Sequence, residues 1–331
     1  MYILDGLIQI GNDQKGFLAF SAIHEVEINK SVEELSDTAV IKLPTRFKIR
    51  QNNETKYTEE AIAVGDKVSI MLSYKGQYSG TEFVGFVKKI SPKIPLEIHC
   101  EDKMWLLRRK NINKSWQKTT LKEILQEVVK GTPIELDEKN IPNINLDKWV
   151  IKNANGCQVL ESIKKQLCMT VFLNDDGKLY CGLQQGTNIG QSVVYDLNYN
   201  LVENNLEFKA KEDRRIKVKY KYKAKDNKET SVEVGDADGE QREFYTSVVS
   251  DEKKLTEMAT AEIEKLKYDG FDGDVTSFLI PFATRGMKAV IKDKEHLNRE
   301  ANYFIKKVVT TFGTGGARRK VSISNKLSAS P

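Results

Sequence analysis

The chain has very few of the residues on which catalytic and metal chemistry is usually built. Its 331 residues include three histidines, His24, His99 and His296, and four cysteines, Cys100, Cys157, Cys168 and Cys181. No histidine belongs to an H-x-x-x-H pair, and no serine sits in a G-x-S-x-G elbow. The cysteines are scattered without a C-x-x-C pair, which reads as buried free thiols in a reducing compartment and argues against a disulfide framework. Cys157 and Cys168 with a histidine lack zinc-ligand spacing. No run approaches the roughly 18 apolar residues that span a bilayer. The apolar stretch 1–11 lacks a basic leader and a small-residue cleavage site, so the expectation is cytoplasmic assembly without membrane insertion. Charge of one sign is also missing. With 52 basic and 47 acidic residues the net charge is +5, too mild for a dedicated nucleic-acid binder.

What is present is strand patterning, in a chain 40% hydrophobic and 30% charged and long enough for two or three domains. Residues 64–105 carry the densest signal. Val68 and Ile70 alternate with polar neighbours, Gly76 marks a turn, and Phe83, Gly85 and Val87 share one face of a second strand. Pro92 and Pro95 separate that strand from a third over 96–100. Three short strands so close together predict a barrel or a tightly coiled sheet. Upstream, 23–28 and 38–43 also read as strands, and His24 as a rim or tucked-in histidine. Residues 46–60 read as an exposed excursion.

After Trp105 the period changes to that of helices. Thr120 and Glu123 form a capping box, Leu121, Ile124, Leu125, Val128 and Val129 one stripe, and Gly131 a stop. A second helix is predicted over 155–167, followed by a hairpin of strands 169–173 and 178–183 around an Asn-Asp-Asp-Gly turn. From 215 to 224 lysines 217, 219, 221 and 223 alternate with Ile216, Val218, Tyr220 and Tyr222. The Lys217–Lys223 row is either a rail for a nucleic-acid backbone or the solvated face of an amphipathic strand. The second reading is favoured because the tyrosines point away from the lysines. Residues 230–250 read as an acidic loop or loose hairpin, and 251–267 as a third helix with Leu255, Met258, Ala259, Ile263 and Leu266 on its apolar side.

The C-terminal region echoes residues 64–105. Gly65, Val68 and Ile70 correspond to Gly286, Ala289 and Ile291, and Phe86-Val87-Lys88-Lys89-Ile90 to Phe304-Ile305-Lys306-Lys307-Val308. This order of events predicts an internally duplicated barrel. Gly313 to Gly316, before Arg318 and Arg319, reads as a hairpin turn rather than a phosphate-binding loop, since neither a following helix nor the Lys-Ser/Thr pair is present. His99-Cys100-Glu101-Asp102 is the most tempting reactive cluster, but neighbours along a strand face opposite ways and do not converge. Glu101 and Asp102 fail as a glycosidase pair for the same reason. Catalytic, cofactor-binding and metal-binding residues are therefore expected to be none.

Several stretches resemble the hub proteins of contractile phage baseplates, the family of Mu-like tail proteins and late control gene D proteins. They are LSDTAVIKLP at 35–44, VGDKVSIMLSY at 64–74, FVGFVKKISP at 83–92 and IHCEDKMWLLR at 98–108. YDLNYNLVENNLEF at 195–208 and YFIKKVVTTFGTGGARRKVSI at 303–323 extend the likeness over most of the chain. The resemblance implies two similar barrels per chain and a homotrimer whose six barrels form a ring. That ring adapts a hexameric tail tube to a trimeric spike, with DNA passing through it without specific binding.

The expected fold class is α+β, mainly β. It comprises a first barrel domain (1–110), a small α/β domain (111–197), a second barrel domain (198–225 and 285–331) and a helix-containing insertion (226–284). Because the second barrel lies at the end of the sequence, any spike is expected to be a separate polypeptide. The expected role is structural and not enzymatic. The rivals are a nucleic-acid-binding barrel using the lysine row and a tail-associated cell-wall hydrolase.

Overall fold

Period-2 alternation places most of the chain in strands, and thirteen of them join one sheet. The computed structural model describes residues 2–48, 55–146, 148–167, 169–182, 191–223, 229–246 and 251–327. The first stretch supplies β1 (Leu4–Asn12), β2 (Gly16–Phe20), β3 (Glu25–Ser31) and β4 (Thr38–Leu43). A side hairpin of β5 (Arg46–Lys48) and β6 (Thr55–Tyr57) leads into a short helix, α1 (Thr58–Ala61). The expected excursion 46–60 is thus anchored by paired strand ends, and 49–54 lies outside the described residues. β7 (Lys67–Tyr74), β8 (Tyr78–Ser91) and β9 (Leu96–Glu101) follow, the three strands expected over 64–105. Their order in the sheet is β3-β4-β9-β8-β7-β1-β2. Ile41, Val68, Ile70, Val87 and Ile98 form its buried core.

The helical segment comes next, with α2 (Met104–Arg109), β10 (Asn111–Trp116), β11 (Thr119–Thr120) and α3 (Leu121–Val129). β12 (Asn145–Leu146), β13 (Trp149–Asn155), α4 (Gly156–Leu167), β14 (Thr170–Leu173) and β15 (Leu179–Gly182) complete it. The capping box is formed: Glu123 N–H donates to Thr120 Oγ1 (3.2 Å) and Thr120 N–H to Glu123 Oε2 (3.0 Å). Leu121, Ile124, Leu125 and Val128 are fully buried against Leu160 and Ile163 of α4. Met104 and Leu107 of α2 belong to this core, so it begins before the expected boundary at 111.

β16 (Ser192–Asp196) and β17 (Glu203–Lys209) return to the large sheet, so β16 falls outside the helical segment in which 111–197 had placed it. β18 (Ile216–Lys223) does not join that sheet. It lies between β19 (Glu229–Gly235) and β20 (Glu240–Thr246), with α5 (Glu252–Leu266) packed on one face. Two expectations are corrected here. β18 belongs to the inserted unit because Ile216, Val218 and Tyr220 are buried with Leu255 and Ala259 of that helix. Residues 229–235 and 240–246, expected as a loop or loose hairpin, are strands that flank β18 on either side instead of pairing with each other, and Val232 and Val234 complete the same core. β21 (Gly270–Ser277), expected in the insertion, instead pairs with β17 and β24. β22 (Lys288–Lys292), β23 (Ala301–Gly313) and β24 (Gly316–Leu327) finish the sheet, the last two as the expected hairpin. No helix among the described residues is long and apolar enough to cross a membrane.

The echo is a repeat in register. Gly65 and Gly286 have φ of 94° and 83°, a region in which glycine carries no Cβ penalty. Gly65 N–H donates to Val87 O, and Gly286 N–H to Ile305 O, both at 2.8 Å. Val87 N–H returns to Asp66 O (2.8 Å) and Ile305 N–H to Met287 O (3.0 Å). Lys67 opposes Phe86 as Lys288 opposes Phe304. A bulge follows at the same step, between Val87 and Lys89 and between Ile305 and Lys307. From there Ile90 opposes Ile98, Ile41 and Val26 in succession, as Val308 opposes Val321, Val275 and Asn204. The strand set β3, β4, β7, β8, β9 is therefore repeated as β17, β21, β22, β23, β24. The repeats differ beyond β7 and β22: β1 runs antiparallel to β7, whereas β16 runs parallel to β22. One continuous ladder joins them, with β3 antiparallel to β23 from Ser31–Lys307 to Glu25–Gly313.

Candidate functional site

The bulge in β8 builds the first unusual site. Between Ile70–Phe83 and Met71–Thr81 the register slips, so Glu82 turns inward next to Phe83. Glu82 is 2% exposed and meets Arg319 of β24, which is 1% exposed, at 2.6 Å. Arg319 also donates to Ala283 O (3.1 Å), Thr310 Oγ1 (3.2 Å), Leu279 O (3.4 Å) and Tyr78 Oη (3.4 Å). Tyr78 Oη in turn donates to Glu82. Burial opposes the Arg319 charge, but the Glu82 carboxylate outweighs it and holds the guanidinium above its ordinary range. Burial and the same carboxylate push the Tyr78 phenol up. Nearby, Tyr74 Oη donates to Ala317 O (3.2 Å) and accepts from Leu279 N–H (3.3 Å), a second polar tie between the repeats.

A second buried arginine joins three parts of the chain. Arg285, 2% exposed and just before β22, reaches Asp37 of the β3–β4 loop at 2.7 Å and Asp175 of the β14–β15 turn at 3.0 Å. It also donates to Leu173 O and lies over the Phe172 ring. Lys30 of β3 adds a contact to Asp175 at 3.2 Å. Asp102 lies close by and accepts from the backbone N–H of Asp37 and of Met104, both at 2.9 Å. Burial pushes Asp37 up to about 6, against the pull of Arg285 and Lys30. Burial, then the Asp37 charge, pushes Asp102 up to about 8. Burial also works on Asp175, but Lys30 and Arg285 outweigh it and hold that carboxyl low. A cleft of about 340 Å³ runs between the two clusters, lined by Lys30, Asp37, Glu82, Asp102, Asp175 and Phe282.

This chemistry is that of a clamp. Glu82, Asp37 and Asp175 are each engaged by a buried guanidinium, and Asp102 by two backbone N–H groups. Asp102 and Arg319 were singled out in the sequence, but with their chain neighbours and not with the partners they meet here. An isolated charge reads as surface, and Glu82 and Arg319 lie 237 positions apart.

The residues that were singled out do not converge. Cys100 is buried in the core while His99 faces outward toward Glu97 at 3.8 Å. Glu101 is occupied by Ser36 (2.7 Å) and Arg108 (2.6 Å). His24 and His296 are exposed. Cys157 and Cys181 are buried, and burial pushes both thiols up to about 12; Cys168 lies outside the described residues. Among the described residues no group of three or more His, Cys, Asp or Glu is placed to hold a metal ion. The lysine row is not a free rail. Lys217 and Lys219 meet Glu233 at 2.6 and 2.7 Å, and Lys221 meets Glu243 at 2.9 Å. Hydrogen bonds from these two lysines pull Glu233 down to about 2. The side chain of Lys223 lies outside the described residues.

No family model matches the sequence, and no curated protein matches it closely enough to count as a relative. Solved structures do match, end to end. The 43 kDa tail protein of prophage MuSo2 from Shewanella oneidensis aligns over 98% of both chains with a TM-score of 0.65 at 15% identity. The chain has a phage tail-protein fold. The tail protein from Neisseria meningitidis MC58 shares this fold over 98% of this chain and 97% of its own, with a TM-score of 0.64 at 12% identity. A component of the Escherichia coli type VI secretion system shares it over 97% of this chain and 77% of its own, with a TM-score of 0.58 at 9% identity. That component is itself described as similar to tail proteins of bacteriophage T4.

Proposed function

We propose that this protein is a structural hub of a phage or prophage-derived tail baseplate. In this reading each repeat is one β-barrel, three chains form a ring of six, and the ring adapts a hexameric tail tube to a trimeric spike. DNA passes through the ring without specific binding. The protein acts in the virion tail after assembly in the host cytoplasm, and no catalytic, cofactor or metal role is assigned to it. One observation carries the reading: the tail-protein fold is built here as two copies of a five-strand unit in corresponding register, fused by a backbone ladder. Such a fusion is an economical answer to a six-to-three mismatch. The buried Arg319–Glu82 and Arg285–Asp37 contacts serve it by fixing the angle between the units, since a ring closes only if that angle is constant. Native mass spectrometry over a concentration series tests the reading. A three-chain species is expected, and a strict monomer at the highest concentrations, with no ring in assembled particles, overturns it.

A further inference from the structure

The repeat leaves half of its own internal contact unused at each end. Within the chain, β3 of the first unit pairs with β23 of the second. The counterpart of β3 is β17, likewise seven residues long, and among the described residues β17 pairs only with β21. The counterpart of β23 is β8, whose residues 88–91, among the described residues, pair only with β9. A contact of this kind has two different faces, so it continues from copy to copy until a ring or a filament results.

We infer that β17 of one protomer pairs antiparallel with the Lys88–Ser91 end of β8 in a neighbouring copy, repeating the β3–β23 ladder between chains. The inference rests on the ring reading, which sets closure at three chains. Transferring the register of β3 on β23 places Phe208 opposite Ile90, as Lys30 lies opposite Val308. Phe208 is 37% exposed and Ile90 only partly buried, so each supplies apolar surface for the other to cover. Lys89 falls opposite Lys209, whose charge Asp272 offsets at 3.4 Å, and Glu207 falls diagonal to Lys89.

The backbone polarity agrees. In the internal ladder Val32 N–H, at the end of β3, donates to Lys306 O, so the even-numbered residues of β3 face β23. Their counterparts in β17 are Asn204, Leu206 and Phe208. Leu206 N–H does point away from β21, and in the free chain the Asn204 side chain accepts from it at 3.1 Å. This is the self-covering expected of an edge that must not pair indiscriminately. On the other face, Pro92 stands where Thr310 stands and has no N–H. The intermolecular ladder is therefore short, centred on Ile90.

Cysteine cross-linking tests the register. Lys89 and Lys209 correspond to Lys307 and Ser31, a non-hydrogen-bonded pair, whose Cα atoms lie about 4.5 Å apart in an antiparallel ladder and can be bridged. The double variant Lys89→Cys/Lys209→Cys is oxidised mildly, with each single variant as a control, and run under non-reducing denaturing conditions. Closed covalent three-chain species in the double variant alone are expected. The variant Ser31→Cys/Lys307→Cys should close within one chain and reports that the fold is intact. A three-chain native mass without the interchain bond, while that control closes, overturns the ladder and leaves the ring reading standing. A monomer at every concentration overturns both.

Discussion

Replacing Arg319 with methionine separates the clamp from ordinary packing. The substitution keeps most of the side-chain volume and removes the charge. Glu82, 2% exposed, then loses its partner, and Leu279 O, Ala283 O and Thr310 Oγ1 lose a donor. Breaking a buried ion pair from one side costs about 3–5 kcal/mol, because the remaining charge is left uncompensated. A chain with several cores need not unfold in one step, so the assay should be local. Amide hydrogen exchange in β8 and β24 should accelerate by roughly two to four powers of ten, at about 1.4 kcal/mol per decade. Amides of α3 and α4, which belong to a different core, should hold their rates. The double variant Glu82→Gln/Arg319→Met should recover part of the loss, leaving a coupling on the order of 2 kcal/mol between the two positions. Acceleration below tenfold in β8 and β24, or an equal change in α3 and α4, refutes the clamp.

Three further outcomes follow from the geometry. Asp37 and Asp102 have folded-state pKa values of about 6 and about 8, above the roughly 3.9 of an unfolded aspartate, so the folded chain holds more protons between those values. Stability should fall as pH rises from 5 to 8.5, and Asp102→Asn should flatten the upper part of the slope; a midpoint that rises over this range contradicts the assignment. Groups held low, such as Asp175 and Glu233, titrate below that window. Thr120→Ala removes the acceptor of Glu123 N–H and should destabilise α3 by about 1 kcal/mol, with Thr120→Ser nearly neutral, as read from exchange of the first-turn amides. Lys219→Gln/Lys221→Gln should leave DNA retention in a low-salt gel unchanged, because both lysines already face glutamates; abolition of a wild-type shift would restore the rail.

Local pattern carried a large part of this fold into the sequence. The alternation in β7, β8 and β9 reflects one buried face per strand, and the α3 stripe reflects one buried helix face. The echo was legible because Gly65 and Gly286 must adopt positive φ and because both units keep Phe-apolar-Lys-Lys-apolar across the bulge. Membership of a sheet was not legible. β18 alternates perfectly, but alternation does not say which neighbours a strand takes, and nothing local to β21 tells that it joins β17 and β24 rather than the inserted unit. The clamp was hidden for a related reason: a bulge decides whether Glu82 faces solvent or core, and a bulge is a property of two strands at once.

The β3–β23 ladder also imposes an order in time. Residues 25–31 leave the ribosome early, yet their partner strand is made some 280 positions later, and Phe312 and Ala317 belong to the first unit's core. Until they arrive, that core stays unfinished and β3 presents a bare edge. Pairings this distant are slow to form and leave sticky intermediates exposed. An interrupted translation product would therefore be recognisable to chaperones and proteases. Completion of the β23–β24 hairpin is then the event that matures the first unit and covers the bare edge of β3.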